Sequence, residues 1–228
     1  MTVGSLLNLH RLPRPADPSF APLAELLTPA GWRELADDFP DASLFAPHSG
    51  VDFVGPGEPW QLLLLDLADR PDPRRGRVSS ASLPEVWQAL LVELATDEGY
   101  RVLVAGCAGT DRFRTRYSWH LRGAGSSAPP HIDAQQKLAT HIFYFMDPNG
   151  WDLAWGGETA FLGGLATGVS APPPMGAFSE CRSAPFLGNR SLLFRNTPDR
   201  WHSVRPLRCP PGVLRRTFNV IVETEPTG

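Results

Sequence analysis

His131, Ile132 and Asp133 follow directly on Ala128-Pro129-Pro130. In an extended strand alternate side chains share a face, so His131 and Asp133 point one way and Ile132 the other. One imidazole and one carboxylate therefore converge. A third donor must come from a separate strand, and His202, in Trp201-His202-Ser203-Val204 at the start of a late β segment, can supply it. Two histidines and one carboxylate on one side of Fe(II) leave about three positions open, enough for a chelating co-substrate and O2. The chemistry such a site suits is oxygen activation. Separately each residue has an ordinary structural explanation; together they point to a metal. His10, His48 and His120 have no comparable setting. His141 in LATHIFYFM falls on the strand face opposite Thr140, Ile142 and Tyr144, which assigns it to packing or to support from behind the site.

A longer pattern, HIDAQQKLATHIFYFM, GW, WGGETAFL, NRSLLFRNTPDRWHSVRPL and RRTFNVIVE, resembles the Fe(II)/2-oxoglutarate-dependent dioxygenase superfamily, most nearly its prolyl-4-hydroxylase-like branch. The resemblance covers residues 100 to 225. It implies a mainly β fold with a double-stranded β-helix core of the jelly-roll or cupin-like kind, and Fe(II), 2-oxoglutarate and O2 as reactants. It also implies His131, Asp133 and His202 as the iron ligands. Arg215 matches the basic residue that binds the far carboxylate of 2-oxoglutarate. Alternation favours Arg215 over Arg216, because Arg215, Thr217 and Asn219 share one face and form the family's basic-x-hydroxyl pattern. A guanidinium suits that role: its planar fork takes a carboxylate bidentately and keeps its charge when buried. Tyr144 matches a tyrosine whose hydroxyl assists the same carboxylate, and Thr140 and Thr217 are assigned to the co-substrate with it.

The implied reaction is oxidation of a C–H bond, by hydroxylation or oxidative cyclisation, with decarboxylation of 2-oxoglutarate to succinate. Asp133 argues against halogenation, for which the family replaces this carboxylate with a small residue. Gly156-Gly157-Glu158-Thr159 resembles the turn entering the next strand, where glycines permit a tight path. Trp155 and Trp201 border these segments as candidate substrate contacts, as do Arg122, on the strand before His131, and Glu158. Asp147, Asp152 and Asp199 join Glu158 as acids able to receive a cationic group. Lys137 is the only lysine in the chain, which hints at a specific use for an ammonium. The acceptor class that fits is a small polar molecule: a bacterial natural product, amino acid or amino sugar. A prolyl or other peptidyl hydroxylase is the competing enzyme reading, and a catalytically silent cupin-like metal-binding barrel the competing non-enzyme one.

These residues need elements to hold them. At 228 residues, 42% of them hydrophobic, the chain suits one domain, with residues 1–99 as a helical and mixed cover and 100–228 as the β core. DPSFAPLAELLTPAGWRELADDFP predicts two short helices, one ending near Leu27 and one opened by Thr28 and Pro29. WQLLLLDLA reads as a buried strand after the punctuated stretch 40–58. Ser82 predicts a cap for a helix through Thr96 with Val86, Leu90, Leu91 and Leu94 on one face. After Gly99, RVLVAGCAG, RYSWHLRG, LATHIFYFM, GETAFLGG, SLLFRN, HSVRPLR and RRTFNVIVE read as strands. The Gly/Pro/Ser-rich stretch 163–188 is longer than such a fold requires and suggests a substrate lid.

Twenty-one basic against twenty-four acidic residues give a net charge of −3, which offers no general field for nucleic acid or an anionic membrane. Three scattered cysteines indicate neither disulfides nor structural zinc. With no leader or spanning segment read, a soluble, cytoplasmic protein is expected. The oligomeric state is not legible.

Overall fold

The structure, a computed structural model, describes residues 4–11, 15–48 and 62–225. The stretch 49–61, including Trp60 and Gln61 at the head of WQLLLLDLA, lies outside the described residues. The fold is mainly β, two sheets built almost wholly from antiparallel pairs.

The large sheet runs in the order β1 (Phe20–Ala24), β10 (Arg190–Arg195), β7 (Lys137–Tyr144), β12 (Arg215–Glu223), β5 (Arg114–Arg122), β3 (Leu62–Leu67) and β2 (Ala46–His48), with β4 (Arg77–Val78) parallel to β3. The small sheet runs β6 (Ala128–His131), β11 (Trp201–Val204), β8 (Thr159–Leu165), β9 (Phe178–Ser183). Three helices, α1 (Pro29–Asp37), α2 (Glu85–Thr96) and α3 (Glu98–Ala108), share a core with the outer face of the large sheet. There Trp87 of α2 meets Trp119 of β5 and Phe218 of β12 edge-on at 5.4 and 5.2 Å. The opposite face of β12, carrying Arg215, Thr217 and Asn219, looks between the sheets.

Several expectations need correction. The first helix read in 18–39 is instead strand β1, and β1 pairs with β10 at the sheet edge, where Pro22 can lack an N–H. The second is α1 as read: the Thr28 hydroxyl accepts from the Gly31 N–H at 3.1 Å. The helix through Thr96 forms, but Pro84 holds its cap position and Ser82 ends the preceding 3-10 turn. RVLVAGCAG is not a strand. It lies in α3, where Tyr100, Val104 and Cys107 are buried at helical spacing, the Asp97 carboxylate accepts from the Tyr100 N–H, and Gly109 closes the helix at φ 79°. The segment 163–188 is not one long connection, since it includes β9, paired with β8 at the edge of the small sheet.

Candidate active site

His131 ends β6 and His202 stands opposite it on β11 in the antiparallel register. In each ring Nδ1 lies near the carbonyl oxygen two residues earlier, Pro129 at 2.8 Å for His131 and Arg200 at 3.2 Å for His202. A carbonyl only accepts, so Nδ1 carries the proton in both rings and Nε2 presents a lone pair. Asp133 lies two residues past β6, and its Oδ2 is 3.9 Å from His202 Nε2. One donor atom from each of the three side chains lies within 4.8 Å of the other two. Two neutral imidazoles and a carboxylate in this compass fit Fe(II) with open positions.

The neighbours hold the ligands in the required charge state. Burial lowers the His131 and His202 pKa values, and mutual repulsion lowers His131 further, so both rings are neutral at neutral pH. For Asp133, burial favours the protonated acid, but the Lys137 ammonium and the two histidines outweigh it and keep the carboxylate ionised. Lys137 Nζ is 2.7 Å from Asp133 Oδ1, while the Thr140 hydroxyl donates to Oδ2 at 3.3 Å. The Asn196 amide ties the following turn by donating to the carbonyls of Asp133, Ala134 and Lys137.

A cavity of about 360 Å³ extends from the triad between the sheets. At one end Arg215, 3% exposed, donates from Nε to the Gly157 carbonyl at 2.7 Å and from Nη2 to Thr159 Oγ1 at 3.3 Å. Gly157, at φ 88°, turns its carbonyl to that guanidinium along a path that disfavours a side chain, and a Cβ there would crowd Arg215 Cδ at 3.4 Å. The GGET turn thus positions Arg215 as well as steering the chain. The Tyr144 hydroxyl bonds the same Thr159 Oγ1 at 3.0 Å. Thr217 is 1% exposed and its hydroxyl has no partner among the described residues. Buried polar groups are ordinarily paired, so an orphan hydroxyl two residues from a buried guanidinium fits an incoming carboxylate. Arg122 faces Arg215 across β5 and β12 and is also buried; burial and then Arg215 push its pKa down to about 9.

The structure thus brings His131, Asp133, His202, Lys137, Thr140, Arg122, Arg215 and Thr217 onto one cavity. Thr140 reaches the Asp133 carboxylate. Three candidate substrate contacts line other surfaces. Trp155 packs on Trp151 at 5.6 Å, Trp201 packs on Phe178 at 5.7 Å, and Glu158 pairs with Arg205 at 3.1 Å. His141 is buried in the helix-facing core, bonding Tyr100 and Ser191 at 3.0 Å each. Asp66 and Ser118 carry no signal in the sequence, His120 has no metal-like setting there, and Asn219 is marked only by sharing a face with Arg215 and Thr217; the four become neighbours through the pairing of β3, β5 and β12.

No family model and no curated protein matches the sequence. Solved structures do. A prolyl-4-hydroxylase from Pseudomonas putida aligns over 91% of this chain and 94% of its own, with a TM-score of 0.62 at 14% identity. A prolyl hydroxylase from Trichoplax adhaerens, in complex with a hypoxia inducible factor oxygen degradation domain peptide fragment, aligns over 90% and 83% with a TM-score of 0.60 at 13% identity. SnoK, the non-heme alpha ketoglutarate dependent carbocyclase from nogalamycin biosynthesis, aligns over 97% and 87% with a TM-score of 0.59 at 10% identity. The chain has the fold of the 2-oxoglutarate- and Fe(II)-dependent oxygenases, the double-stranded β-helix, and is similar to members of the prolyl-4-hydroxylase-like branch. No helix among the described residues is long and apolar enough to cross a membrane. A fold hosts many chemistries, so activity is argued from the site.

Proposed function

We propose that the protein is a non-haem Fe(II) oxygenase that consumes 2-oxoglutarate and O2 to oxidise a C–H bond of a small polar molecule. The observation that carries this reading is the placement of the orphan Thr217 hydroxyl and the buried Arg215 guanidinium in the same cavity as the His131, Asp133 and His202 triad. A metal site that only bound or sensed a cation would have no use for a buried anion receptor beside it.

His131, Asp133 and His202 would hold Fe(II), while Arg215, assisted by Thr217 and Tyr144, would grip the far carboxylate of 2-oxoglutarate. When bound, the metal with its co-substrate and O2 supplies the oxidising power, and 2-oxoglutarate leaves as succinate and CO2. For hydroxylation, one oxygen atom enters the substrate and the other enters succinate. The chain contributes orientation: its charged arm anchors one end of the co-substrate, and the cavity walls decide which C–H bond approaches. The size of the cavity favours a small acceptor over an extended peptide.

The β8 to β9 hairpin borders the small sheet next to β11, and we assign it the lid role. Amide exchange in 163–188 should slow when acceptor joins iron and co-substrate; unchanged exchange would remove that role.

The experiment for the main reading is anaerobic titration of Fe(II)-loaded protein with 2-oxoglutarate, followed through the visible charge-transfer band of a chelated keto acid. A saturable band that weakens in Arg215→Ala is expected. Its absence in iron-replete protein would overturn the oxygenase reading in favour of a metal-binding barrel.

A further inference from the structure

The cavity has a second polar wall that the iron ligands and the co-substrate arm leave unexplained. Asp66 on β3, Ser118 on β5 and Asn219 on β12 stand in one row of the paired strands, and Arg116 is the next inward residue along β5. Asn219 is 4% exposed, yet its Nδ2 has no hydrogen-bond partner among the described residues. A buried amide donor aimed into a cavity calls for an acceptor. It lies one inward position beyond Thr217 and two beyond Arg215, towards the end of the cavity where Thr140 reaches Asp133.

Arg116 directs Nη1 to Asp66 Oδ1 at 3.2 Å and Nε to Glu223 Oε1 at 3.5 Å, and among the described residues nothing engages its Nη2. The wall therefore offers both signs of charge side by side. A purely anionic ligand would meet Asp66, and a purely cationic one would meet Arg116; like-charge juxtaposition of this kind is a strong filter. A ligand carrying both charges satisfies the pair at once.

We infer that this wall selects a small zwitterion, an α-amino acid or a compound with the same spacing of amine and carboxylate. Its carboxylate accepts from Arg116 and from Asn219 Nδ2, and its ammonium donates to Asp66. The inference rests on the oxygenase reading above. The volume agrees with it, because about 360 Å³ is at the low end of the roughly 300–1,000 Å³ of small-molecule sites and must also take the co-substrate. Within a peptide chain both charges would be replaced by neutral amides.

The test uses full-length protein. Its first arm checks 2-oxoglutarate binding by the absorption band, so failure of the oxygenase reading is recognised separately. The second arm loads the protein with Mn(II) and 2-oxoglutarate and titrates it calorimetrically with a panel of free amino acids, each matched by its N-acetyl and methyl-ester forms. The third measures succinate release with Fe(II) and the same panel. At least one free amino acid should bind and raise succinate release tenfold or more, and either cap should remove both effects.

Asp66→Asn and Arg116→Met should each weaken amino-acid binding tenfold or more while leaving the affinity for 2-oxoglutarate within twofold. Asp66→Glu should restore part of the loss, which a merely structural ion pair at the sheet surface would not require. The proposal is overturned if 2-oxoglutarate binds but no free amino acid does. It is equally overturned if the capped forms bind as well as the free ones, or if the two variants bind amino acids like the parent.

Discussion

His131 and His202 face each other directly across β6 and β11, their ring centroids 4.2 Å apart. Two imidazoles at this distance cannot both carry charge cheaply, and the backbone carbonyls beside them assign the same tautomer to each. The register of two four-residue strands thus sets the separation and the protonation of a candidate metal site at once.

One consequence concerns acid. Fe(II) must find deprotonated ligands, and at neutral pH both histidines are already neutral and Asp133 already ionised. Metal affinity should therefore be nearly flat from pH 7 to 8, with little proton release on binding, and calorimetry in two buffers of different ionisation enthalpy would show it. A strong pH slope in that range would contradict the assigned charge states.

Stability without metal should fall in acid for a related reason. Burial pushes His141 down to about 3, well below its ordinary 6.5. The unfolded chain then binds the proton more readily, so the contribution is complete above pH 6.5 and is lost as pH falls towards 3. At about 1.4 kcal/mol per pH unit, one such histidine removes about 2 kcal/mol by pH 5. Buried His120, His131 and His202 act in the same direction. Urea midpoints of metal-free protein measured from pH 7 to 5 would register the decline.

Lys137 should set a balance between folding and metal binding. Its ammonium neutralises Asp133 in the absence of a cation, and it also repels an arriving one. Lys137→Met is expected to destabilise the metal-free protein by about 1–2 kcal/mol, less than a fully buried pair because the lysine is partly exposed. The same change should tighten Fe(II) binding by at least roughly tenfold, the repulsion between a divalent ion and one ammonium at about 5 Å even in a water-like dielectric of about 80. Thermal unfolding with and without Fe(II) separates the two effects.

Arg215→Met should act on the co-substrate alone. Removing one partner of a buried charge pair costs about 2–5 kcal/mol, so 2-oxoglutarate affinity should drop by roughly thirtyfold or more. Fe(II) binding should stay within a factor of a few. Lysine at this position should recover part of the loss, since it keeps the charge without the fork.

Trp87 provides a contrast on the far side of the sheet. It is fully buried, and its indole N–H donates to the Asp38 carbonyl at 2.9 Å. Trp87→Ala should cost about 3–5 kcal/mol of stability, seen as a lower unfolding midpoint, with co-substrate affinity unchanged in the fraction that remains folded.

The convergence of His131, Asp133 and His202 and the inward aim of Arg215 were legible in the sequence because their information is local: an H-x-D at the end of one strand, and the alternation of Arg215, Thr217 and Asn219 on another. Asp66, Ser118, His120 and Asn219 were not read as one wall, since nothing in a linear pattern says which residue of β3 or β5 lies opposite β12. Trp155 and Trp201 adjoin functional residues along the chain, yet a strand or turn sends neighbouring side chains in different directions. The misread RVLVAGCAG has β-rich composition, while the spacing of Tyr100, Val104 and Cys107 is helical. FAPLA was too short for its own period to be decisive, and its pairing with β10 settled it.

Strand β12 carries the cavity-lining Arg215, Thr217 and Asn219 on one face and core residues Phe218, Val220 and Val222 on the other. Slipping it by one residue would bring Arg216 inward, send Arg215 out, and exchange Thr217 and Asn219 for apolar side chains. The loop at 205–214 that feeds this strand can therefore change length only if it absorbs the change before Arg215. Insertions and deletions there are governed by parity: those passed into the strand must come in pairs, or the anion receptor is turned to the helices and the greasy face to the substrate.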